Sequence, residues 1–347
     1  MNFTESLSRN KREIDHELER FFDARMKKAK GISPEAYEAF QILKEFNLRG
    51  GKRIRPMLTI SSYRGFGGKN KEITRAALAV ELMESFLLIH DDIMDKDAMR
   101  RGGPTVHKIY ETKFKGAEHY GNSLAIVVGD IASALGSEAI AETGFDARRR
   151  IEAIEKFNKV IINTCFGQIL DLKSEMCYPK ERDIVQIHTL KTAIYTIEGP
   201  LHIGAILAGA SREQLRQLTR FAIPLGKAFQ LKDDILGVFG SAKRIGKPVG
   251  SDIRQGKRTL LILKAMEKGN EEDRKLLKRC LGKKSLSSRE INKVRIILRS
   301  TGSLQYSEQL VKENISLAKS ALNEIRMEKE SKEFLKGIAD YVMERDK

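Results

Sequence analysis

Apolar residues recur every three or four positions along long stretches of this chain of 347 residues. The repeat is clearest in three segments, which are residues 72–90, 151–170 and 213–235. This is the period of an amphipathic α-helix, and no window shows the strict alternation of apolar and polar residues typical of a strand. We therefore expect an all-α fold. Because no change in composition marks a linker, a single domain covering residues 1–347 is the simplest organisation.

Basic residues outnumber acidic ones, and the formal net charge is +16. Such a balance favours anionic ligands through the summed field of the protein, but it does not identify the anion. The chain shows neither a zinc-ligand spacing nor a basic low-complexity arm, which are common features of nucleic-acid-binding proteins. We therefore predict no nucleic-acid partner, and a basic helical protein that binds DNA stays the non-enzymatic alternative.

The sequence also indicates a cellular compartment. Three cysteines are too few and too scattered for a disulfide framework. The N-terminal segment carries charges from Glu5 onward and is unlike a signal peptide. The most apolar stretch, 192–210, is interrupted by Glu198 and Pro200. We therefore predict a cytoplasmic protein without a membrane span.

Three aspartates, Asp91, Asp92 and Asp95, end the apolar run in the sequence D-D-I-M-D. On a helix, Asp91 and Asp95 project from one face, one turn apart. Carboxylates at a helix C-terminus repel one another and oppose the helix macrodipole, so they require a compensating cation. Oxygen-only ligands suit Mg²⁺. Taken alone, the motif is equally consistent with an acidic helix end solvated by water.

A second acidic pair, Asp233 and Asp234, again follows an apolar helical run, with Phe229 and Gln230 one turn earlier. Two such helix ends in an antiparallel bundle can face each other across a cavity. Metal ions held by both ends would then bridge a diphosphate between them. The presence of both clusters therefore argues against a purely surface role for either.

Cationic residues accompany both acidic clusters. Two glycines precede the basic residues of G-G-K-R-I-R-P at 50–56, where a flexible backbone and guanidinium groups suit phosphate oxygens. The candidate cations are Lys52, Arg53, Arg55, Arg100, Arg101, Lys191, Lys247 and Lys257. Both charge signs at one site indicate a metal-bridged diphosphate, because a nucleic-acid ligand would leave the carboxylates unexplained.

The motifs form an ordered series along the chain. In order they are G-G-K-R-I-R-P at 50–56, D-D-I-M-D at 91–95, R-R-G-G-P-T-V-H at 100–107, G-D at 129–130, G-Q-I-L-D-L at 167–172, K-T at 191–192, F-Q-L-K-D-D at 229–234, G-K-P-V-G-S-D at 246–252 and G-K-R-T-L at 256–260. This series resembles the trans-isoprenyl diphosphate synthase family, also called polyprenyl synthases. The resemblance implies an all-α bundle around a deep central cavity, in a homodimer. It also implies condensation of allylic diphosphates (dimethylallyl, geranyl or farnesyl) with isopentenyl diphosphate and release of pyrophosphate.

The resemblance further implies roles for individual residues. Three Mg²⁺ ions would be bound by Asp91, Asp95 and Asp233, with support from Asp92 and Asp234. The allylic diphosphate would be held by Arg100, Lys191, Lys247 and Lys257. Isopentenyl diphosphate would be held by Lys52, Arg55 and Arg101, and Arg53 of the same basic run is a further substrate-binding candidate. The reacting centre would be lined by Thr192 and Gln230, and the outer shell of the metal by Gln168 and Asp171.

Two positions depart from the family pattern. Gly237 stands where many members have a third aspartate, a variant that we expect to spare activity. Glu84 stands where His or Gln usually contacts isopentenyl diphosphate, and an ionised Glu there would repel a phosphate. We therefore expect Glu84 to be protonated or turned away, or this part of the site to be weakened.

Product length is expected to depend on side chains beneath Asp91, and the candidates are Phe86, Leu87 and Met83. Phe86 lies five residues before Asp91, about 7.5 Å lower along the helix. An aromatic residue here resembles archaeal geranylgeranyl diphosphate synthases, which make a C20 product. Ordinary core packing is the alternative role for Phe86, and the geometry leaves a C15 product open.

Other functions stay open as alternatives. Within the family, these are a farnesyl diphosphate synthase and a medium-chain polyprenyl diphosphate synthase. A terpene cyclase shares an acidic helix and Mg²⁺, but it does not need the basic site at 50–56. A non-catalytic subunit of a heteromeric synthase usually lacks one acidic motif, and both are present in this chain.

Overall fold

The computed structural model describes residues 3–240, 250–283 and 285–344, which fold almost entirely into helices. The first helices are α1 (Phe3–Ala29), α2 (Pro34–Leu48), α3 (Ile54–Gly65), α4 (Ile73–Met94), α5 (Val106–Lys113), α6 (Glu118–Ala141) and α7 (Ala147–Met176). They are followed by α8 (Glu181–Ile187), a π-helical segment (His188–Glu198), α9 (Gly199–Ala208) and α10 (Arg212–Phe239). The last are α11 (Ser251–Gln255), α12 (Leu260–Lys268), α13 (Glu271–Cys280), α14 (Ser288–Ser300), α15 (Ser303–Glu324) and α16 (Lys329–Glu344).

The predicted all-α class is confirmed, and the three periodic segments of the sequence lie in α4, α7 and α10. Pro224 lies inside α10 without ending it. The described strands are β1 (Met99–Arg100) and β2 (Gly103–Pro104), which form one short antiparallel hairpin after α4.

The chain divides into two compact units, each built from separated segments. The first contains the described parts of Met1–Asn158, together with Pro200–Ser211 and Met327–Ser331. The second contains Lys159–Gly199, Arg212–Arg326 and the described part of Lys332–Lys347, again without the undescribed residues inside these ranges. The predicted single domain stays a prediction.

Helix α4 is the centre of the first unit and packs against α1, α3 and α6. Five consecutive residues, Ala76 to Val80, are fully buried, so all sides of this part of the helix are covered. Such complete burial explains why small and aliphatic residues occupy all faces of this part of the helix, and not a single stripe along it. Burial becomes incomplete near the C-terminal end, where the first acidic cluster lies.

The hairpin after α4 turns the chain back towards the helix end. Its two turn residues, Arg101 and Gly102, have φ angles of 51° and 77°, so both adopt the left-handed conformation of a tight hairpin turn. The register pairs Arg100 with Gly103. The turn therefore fixes the positions of two adjacent arginines, Arg100 and Arg101, immediately after the aspartates.

In the second unit, α10 packs against the π-helical segment and against α15. Two glycines allow close approach to the π-helical segment. A Cβ atom on Gly226 of α10 would lie 2.3 Å from the Cα atom of Ala193, and one on Gly167 of α7 would lie 2.5 Å from the backbone nitrogen of Lys191. The absence of side chains at these glycines therefore brings α7 and α10 against the residues flanking Thr192.

Among the described helices, α6 is the one whose length and composition would allow it to cross a membrane. About half of its most apolar window, 44%, is buried inside the protein. Core helices of soluble proteins pass the same test, so this helix alone does not establish a membrane span.

Candidate active site

The first acidic cluster lies where α4 ends. The backbone N–H of Asp95 donates to the carbonyl oxygen of Asp91 at 2.8 Å, so the helical spacing of these two residues is as predicted. Their side chains are half-buried, whereas Asp92 between them is fully buried. Two half-buried carboxylates one turn apart form an oxygen-only donor set, which fits Mg²⁺.

No group of three or more His, Cys, Asp or Glu side chains is gathered closely enough to hold a metal ion in the described parts of the chain. Protein ligands alone therefore do not complete a coordination sphere there. Mg²⁺ usually keeps several waters and takes its remaining ligands from one or two carboxylates and from substrate phosphates, so the pair Asp91 and Asp95 could serve as its protein ligands.

Arg100 compensates the buried charge of Asp92. Its Nε and Nη2 atoms lie 2.6 and 2.5 Å from Asp92 Oδ1, and Nη2 also lies 3.6 Å from Asp97 and 4.0 Å from Asp91. Burial raises the pKa of Asp92 to about 6, although the guanidinium group opposes this shift. Arg100 therefore supports the acidic cluster directly, and the predicted contact with an allylic diphosphate stays a prediction.

Glu84 lies between two arginines that the resemblance assigns to isopentenyl diphosphate. Its Oε1 atom is 2.9 Å from Nη1 of Arg55 and accepts a hydrogen bond of 3.0 Å from Nη2 of Arg101. Burial alone would raise the pKa of Glu84, but the charges of Arg55 and Arg101 outweigh it and hold the pKa below its ordinary value. Glu84 therefore faces the arginines, and the expectation that it is turned away is wrong. The charges of both arginines favour its ionised form over the protonated one.

Arg53 belongs to a separate network, in which its own side chain and that of Glu81 are buried and Asp15 is half-buried. Its Nε atom donates to Asp15 at 2.7 Å, Nη1 donates to Glu81, and Nη2 donates to the carbonyl oxygen of Asn47 at 2.5 Å. Burial raises the pKa of Glu81, and the neighbouring charge of Glu84 adds to this shift. Because all three guanidinium nitrogens bond inside the protein, the structure favours a structural role for Arg53 over the predicted substrate contact.

The loop before α3 explains how adjacent basic residues diverge. Gly50 and Gly51 have φ angles of 121° and 107°, which other residues rarely adopt, and Arg53 itself has a φ of 55°. A Cβ atom on Gly51 would lie 3.4 Å from the guanidinium carbon of Arg101, so the glycine leaves room for that side chain. Arg53 turns inward, while Lys52 is exposed.

The second unit brings several predicted residues together around the π-helical segment. Lys191 Nζ donates to Asp171 Oδ2 at 2.7 Å. Thr192 Oγ1 donates to Gln230 Oε1 at 2.5 Å, and Gln230 Nε2 donates to Asp234 Oδ1 at 2.7 Å. Gln230 thus links the π-helical segment to the second acidic pair.

The other predicted residues of this unit are half-buried or lie outside the described residues. Asp233 is half-buried, next to the buried Asp234, and Gln168 and Lys257 are also half-buried. Lys247 lies outside the described residues. The meeting of the two acidic clusters stays a prediction.

Two residues that the sequence motifs did not identify contact the C-terminal part of α10, which carries the second acidic pair. His188 Nε2 lies 3.2 Å from Asp234 Oδ2, and both side chains are buried. Its position four residues before Thr192, on the same face of a helical turn, is the signal that would have identified it. Asp252 is the second of these residues. It is the last residue of the motif G-K-P-V-G-S-D, and the motif alone indicates no role for it.

Asp252 occupies the space above Gly237. A Cβ atom built on Gly237 would lie 2.1 Å from Oδ2 of Asp252, closer than real atoms approach. The carboxylate of Asp252 therefore lies beside the position where many family members carry the third aspartate of the motif. This contact gives a physical reason for the glycine.

We expect Gly237→Asp to destabilise the protein by about 1–3 kcal/mol, because the new side chain overlaps a carboxylate of the same charge. Adding Asp252→Ala should remove the overlap and restore most of the stability. Urea unfolding midpoints measure both effects. Gly31→Asp is the matched control, since a Cβ atom on Gly31 meets nothing closer than 3.4 Å. A Gly237→Asp variant as stable as the control would contradict the prediction.

Comparisons with known proteins agree with the motif series. The polyprenyl synthetase family profile matches residues 38–298. A short chain isoprenyl diphosphate synthase of Methanocaldococcus jannaschii is 34% identical over 296 residues, which cover 85% of this chain and 86% of that protein. A geranylgeranyl diphosphate synthase of Saccharolobus solfataricus is 36% identical over 303 residues, covering 86% of this chain and 87% of that protein.

A solved structure shows the same fold. The crystal structure of geranylgeranyl pyrophosphate synthase from Corynebacterium glutamicum, complexed with isoprenyl diphosphate and magnesium, superposes with a TM-score of 0.90. The two chains are 31% identical, and the match covers 96% of this chain and 97% of that chain. The family profile, the relatives and the fold agree over most of the sequence: the chain belongs to the polyprenyl synthetase family.

Proposed function

We propose that this chain is a short-chain prenyltransferase that joins allylic diphosphates to isopentenyl diphosphate, with the C20 geranylgeranyl diphosphate as its main product. The observation that supports the proposal is that the first unit has two separate charged groups, each suited to an anionic substrate group. One is the half-buried pair Asp91 and Asp95, which suits a metal-bound diphosphate. The other is the arginine pair Arg55 and Arg101.

Two separate sites match a reaction with two diphosphate substrates. A terpene cyclase ionises a single diphosphate, so the arginine pair would have no substrate in that reaction. The relatives named as prenyl diphosphate synthases support the same reading. A farnesyl diphosphate synthase and a medium-chain synthase stay the alternatives within the family.

Prenyl diphosphate synthases use a divalent metal, and the Corynebacterium structure contains magnesium. We propose three Mg²⁺ ions per site, held by the oxygen-only ligands Asp91, Asp95 and Asp233. Bound Mg²⁺ would supply positive charge to the departing pyrophosphate. Asp92 and Asp234, both buried, would hold the ligand helices in place through Arg100 and Gln230.

The protein's cations bind and orient the two substrates in this proposal. Lys191, aligned by its ion pair with Asp171, would hold the allylic diphosphate together with Arg100, Lys247 and Lys257. Arg55 and Arg101 would hold isopentenyl diphosphate. The C–O bond of the allylic diphosphate breaks, and the double bond of isopentenyl diphosphate attacks the freed carbon. The proton that is then lost goes to the released pyrophosphate, so no nucleophilic side chain is required.

Side chains below the acidic cluster support a limit on product length. Phe86 and Leu87 are half-buried, so they keep surface that a growing chain could meet. The ring of Phe86 packs edge-to-face against that of His90 at 4.8 Å, one turn closer to the aspartates. Met83 is fully buried, which favours core packing as its role.

A cytoplasmic location and a homodimer complete the proposal. Cys165, Cys177 and Cys280 are free thiols, which fits a reducing compartment. Helix α6 exposes the large apolar residues Tyr120, Ile126 and Val127. A second copy of the chain would cover such a surface.

The decisive experiment is incubation of the protein with dimethylallyl diphosphate, isopentenyl diphosphate and Mg²⁺, followed by sizing of the products. We expect mainly C20 diphosphate and one pyrophosphate released per condensation. EDTA should abolish the activity and added Mg²⁺ should restore it, because without the metal ions the carboxylates would repel the diphosphate instead of binding it. A folded protein that forms no elongated prenyl diphosphate would overturn the proposal.

We expect Phe86→Ala to lengthen the main product beyond C20, because it removes an aromatic ring from the path of the chain. Chromatographic sizing of the products at equal conversion measures the change. Phe114→Ala is the matched control, since Phe114 is an exposed aromatic residue outside α4, and it should leave the product unchanged. An unaltered product profile for Phe86→Ala would place the limit elsewhere.

We expect light scattering to give the molar mass of two chains for the wild type and of one chain for Val127→Glu. The charged side chain would have to be buried without a partner in a dimer that covers α6. Ile32→Glu changes an exposed apolar residue between α1 and α2 in the same way and should remain dimeric. A Val127→Glu protein that stays dimeric would show that α6 is not in the interface.

A further inference from the structure

Three elements of the first unit converge at Glu84. Arg55 comes from the first turn of α3, Arg101 from the hairpin turn, and Glu84 from α4. Both arginines contact the same carboxylate oxygen, Oε1, at 2.9 and 3.0 Å. The carboxylate thus lies where two guanidinium groups converge. An anionic ligand would bind at the same position.

The cluster is partly shielded from water. The side chains of Glu84, Arg55 and Arg101 keep 13%, 16% and 22% of their surface exposed. Ion pairs with this burial are screened less than surface pairs, so the carboxylate interacts strongly with both arginines. The remaining exposure leaves a route by which a ligand from solvent can reach the guanidinium groups.

The charge of Glu84 limits the net positive charge that the two arginines present to a ligand. Two guanidinium groups carry two positive charges, and the ionised carboxylate cancels one of them. Arg53, in the loop that precedes α3, already bonds Asp15 and Glu81, so it does not replace Arg55 or Arg101 as a partner of Glu84. A diphosphate that approaches Arg55 and Arg101 must therefore share them with Glu84 or displace it.

We propose that Glu84 is an internal counter-ion of the isopentenyl diphosphate site. By competing for Arg55 and Arg101, Glu84 weakens the binding of that substrate selectively and so sets the isopentenyl diphosphate concentration at which elongation proceeds. The inference rests on the proposed function for the assignment of Arg55 and Arg101 to isopentenyl diphosphate. We expect the allylic site to be unaffected, because Arg100, its proposed ligand in the first unit, pairs with Asp92. Glu84 is a specificity-determining residue rather than a catalytic one.

A different role would be alignment of the two arginines by hydrogen bonds. Glu84→Gln separates the two roles, because the amide keeps the size and an acceptor oxygen but carries no charge. Glu84→His gives a second neutral side chain when measured at pH 8, above the ordinary pKa of histidine. If alignment were the main role, neutral substitutions would weaken binding rather than strengthen it.

Isothermal calorimetry with isopentenyl diphosphate in EDTA measures binding without turnover. We expect the Kd of Glu84→Gln and of Glu84→His to be about tenfold lower than that of the wild type, a change of about 1.4 kcal/mol. In steady-state assays with Mg²⁺, the KM for isopentenyl diphosphate should fall similarly, while the KM for the allylic diphosphate stays unchanged. Glu152→Gln is the matched control, because it removes one carboxylate from an exposed pair with Arg148.

Several outcomes would overturn the inference. A Kd that is unchanged or higher in both neutral variants would show that Glu84 does not compete for the arginines. Equal shifts in the KM of both substrates would show a general charge effect, as would any shift in Glu152→Gln. Loss of folding in both neutral variants, seen by circular dichroism, would show a structural role instead. Failure of the proposed function is distinguishable, because the wild type would then form no product while the calorimetric comparison still decides the role of Glu84.

Discussion

Compensation of buried negative charge at the end of α4 is the constraint on which the charged clusters of the first unit depend. Asp92 is fully buried at a helix C-terminus, where the macrodipole already disfavours a carboxylate. A buried charge without a partner is strongly destabilising, and Arg100 meets this one with two guanidinium nitrogens. The hairpin directly after α4 returns this arginine to the helix, and its left-handed turn also delivers Arg101 to Glu84. Compensation of Asp92 and the ion pair of Glu84 with Arg101 therefore depend on the same short turn.

In the second unit the equivalent constraint is steric. Gly167 and Gly226 lie so close to the π-helical segment that no side chain fits at either position. This close packing places Lys191 beside Asp171, and it places Thr192 within hydrogen-bond distance of Gln230. Such π-helical segments occur frequently at functional sites, which fits the predicted roles of Lys191 and Thr192. The widened turn and the glycines together explain how neighbouring residues Lys191 and Thr192 reach partners on different helices.

The sequence was sufficient for features that depend on local periodicity and insufficient for those that depend on distant contacts. The apolar period predicted α4, α7 and α10, and the i, i+4 spacing predicted the common face of Asp91 and Asp95. The roles of Arg53 and Arg55 could not be separated, because both stand in one basic run. Their difference arises from a backbone turn and from carboxylates on other helices. The contact between Asp252 and Gly237 joins α10 to α11, so no local pattern reports it.

Three acidic residues of α4 form similar carboxylate–arginine ion pairs that differ in burial. The pairs, in order along the helix, are Glu81 with Arg53, Glu84 with Arg55 and Arg101, and Asp92 with Arg100. In the first pair Arg53 has no exposed side-chain surface and Glu81 has 2%, so a ligand could replace neither partner without leaving a charge buried alone. The pairs of Glu84 keep part of their surface in contact with water, which lowers the cost of exchanging the carboxylate for another anion. Burial rather than residue type therefore separates Arg53, which is closed to ligands, from Arg55 and Arg101, which we propose bind a substrate.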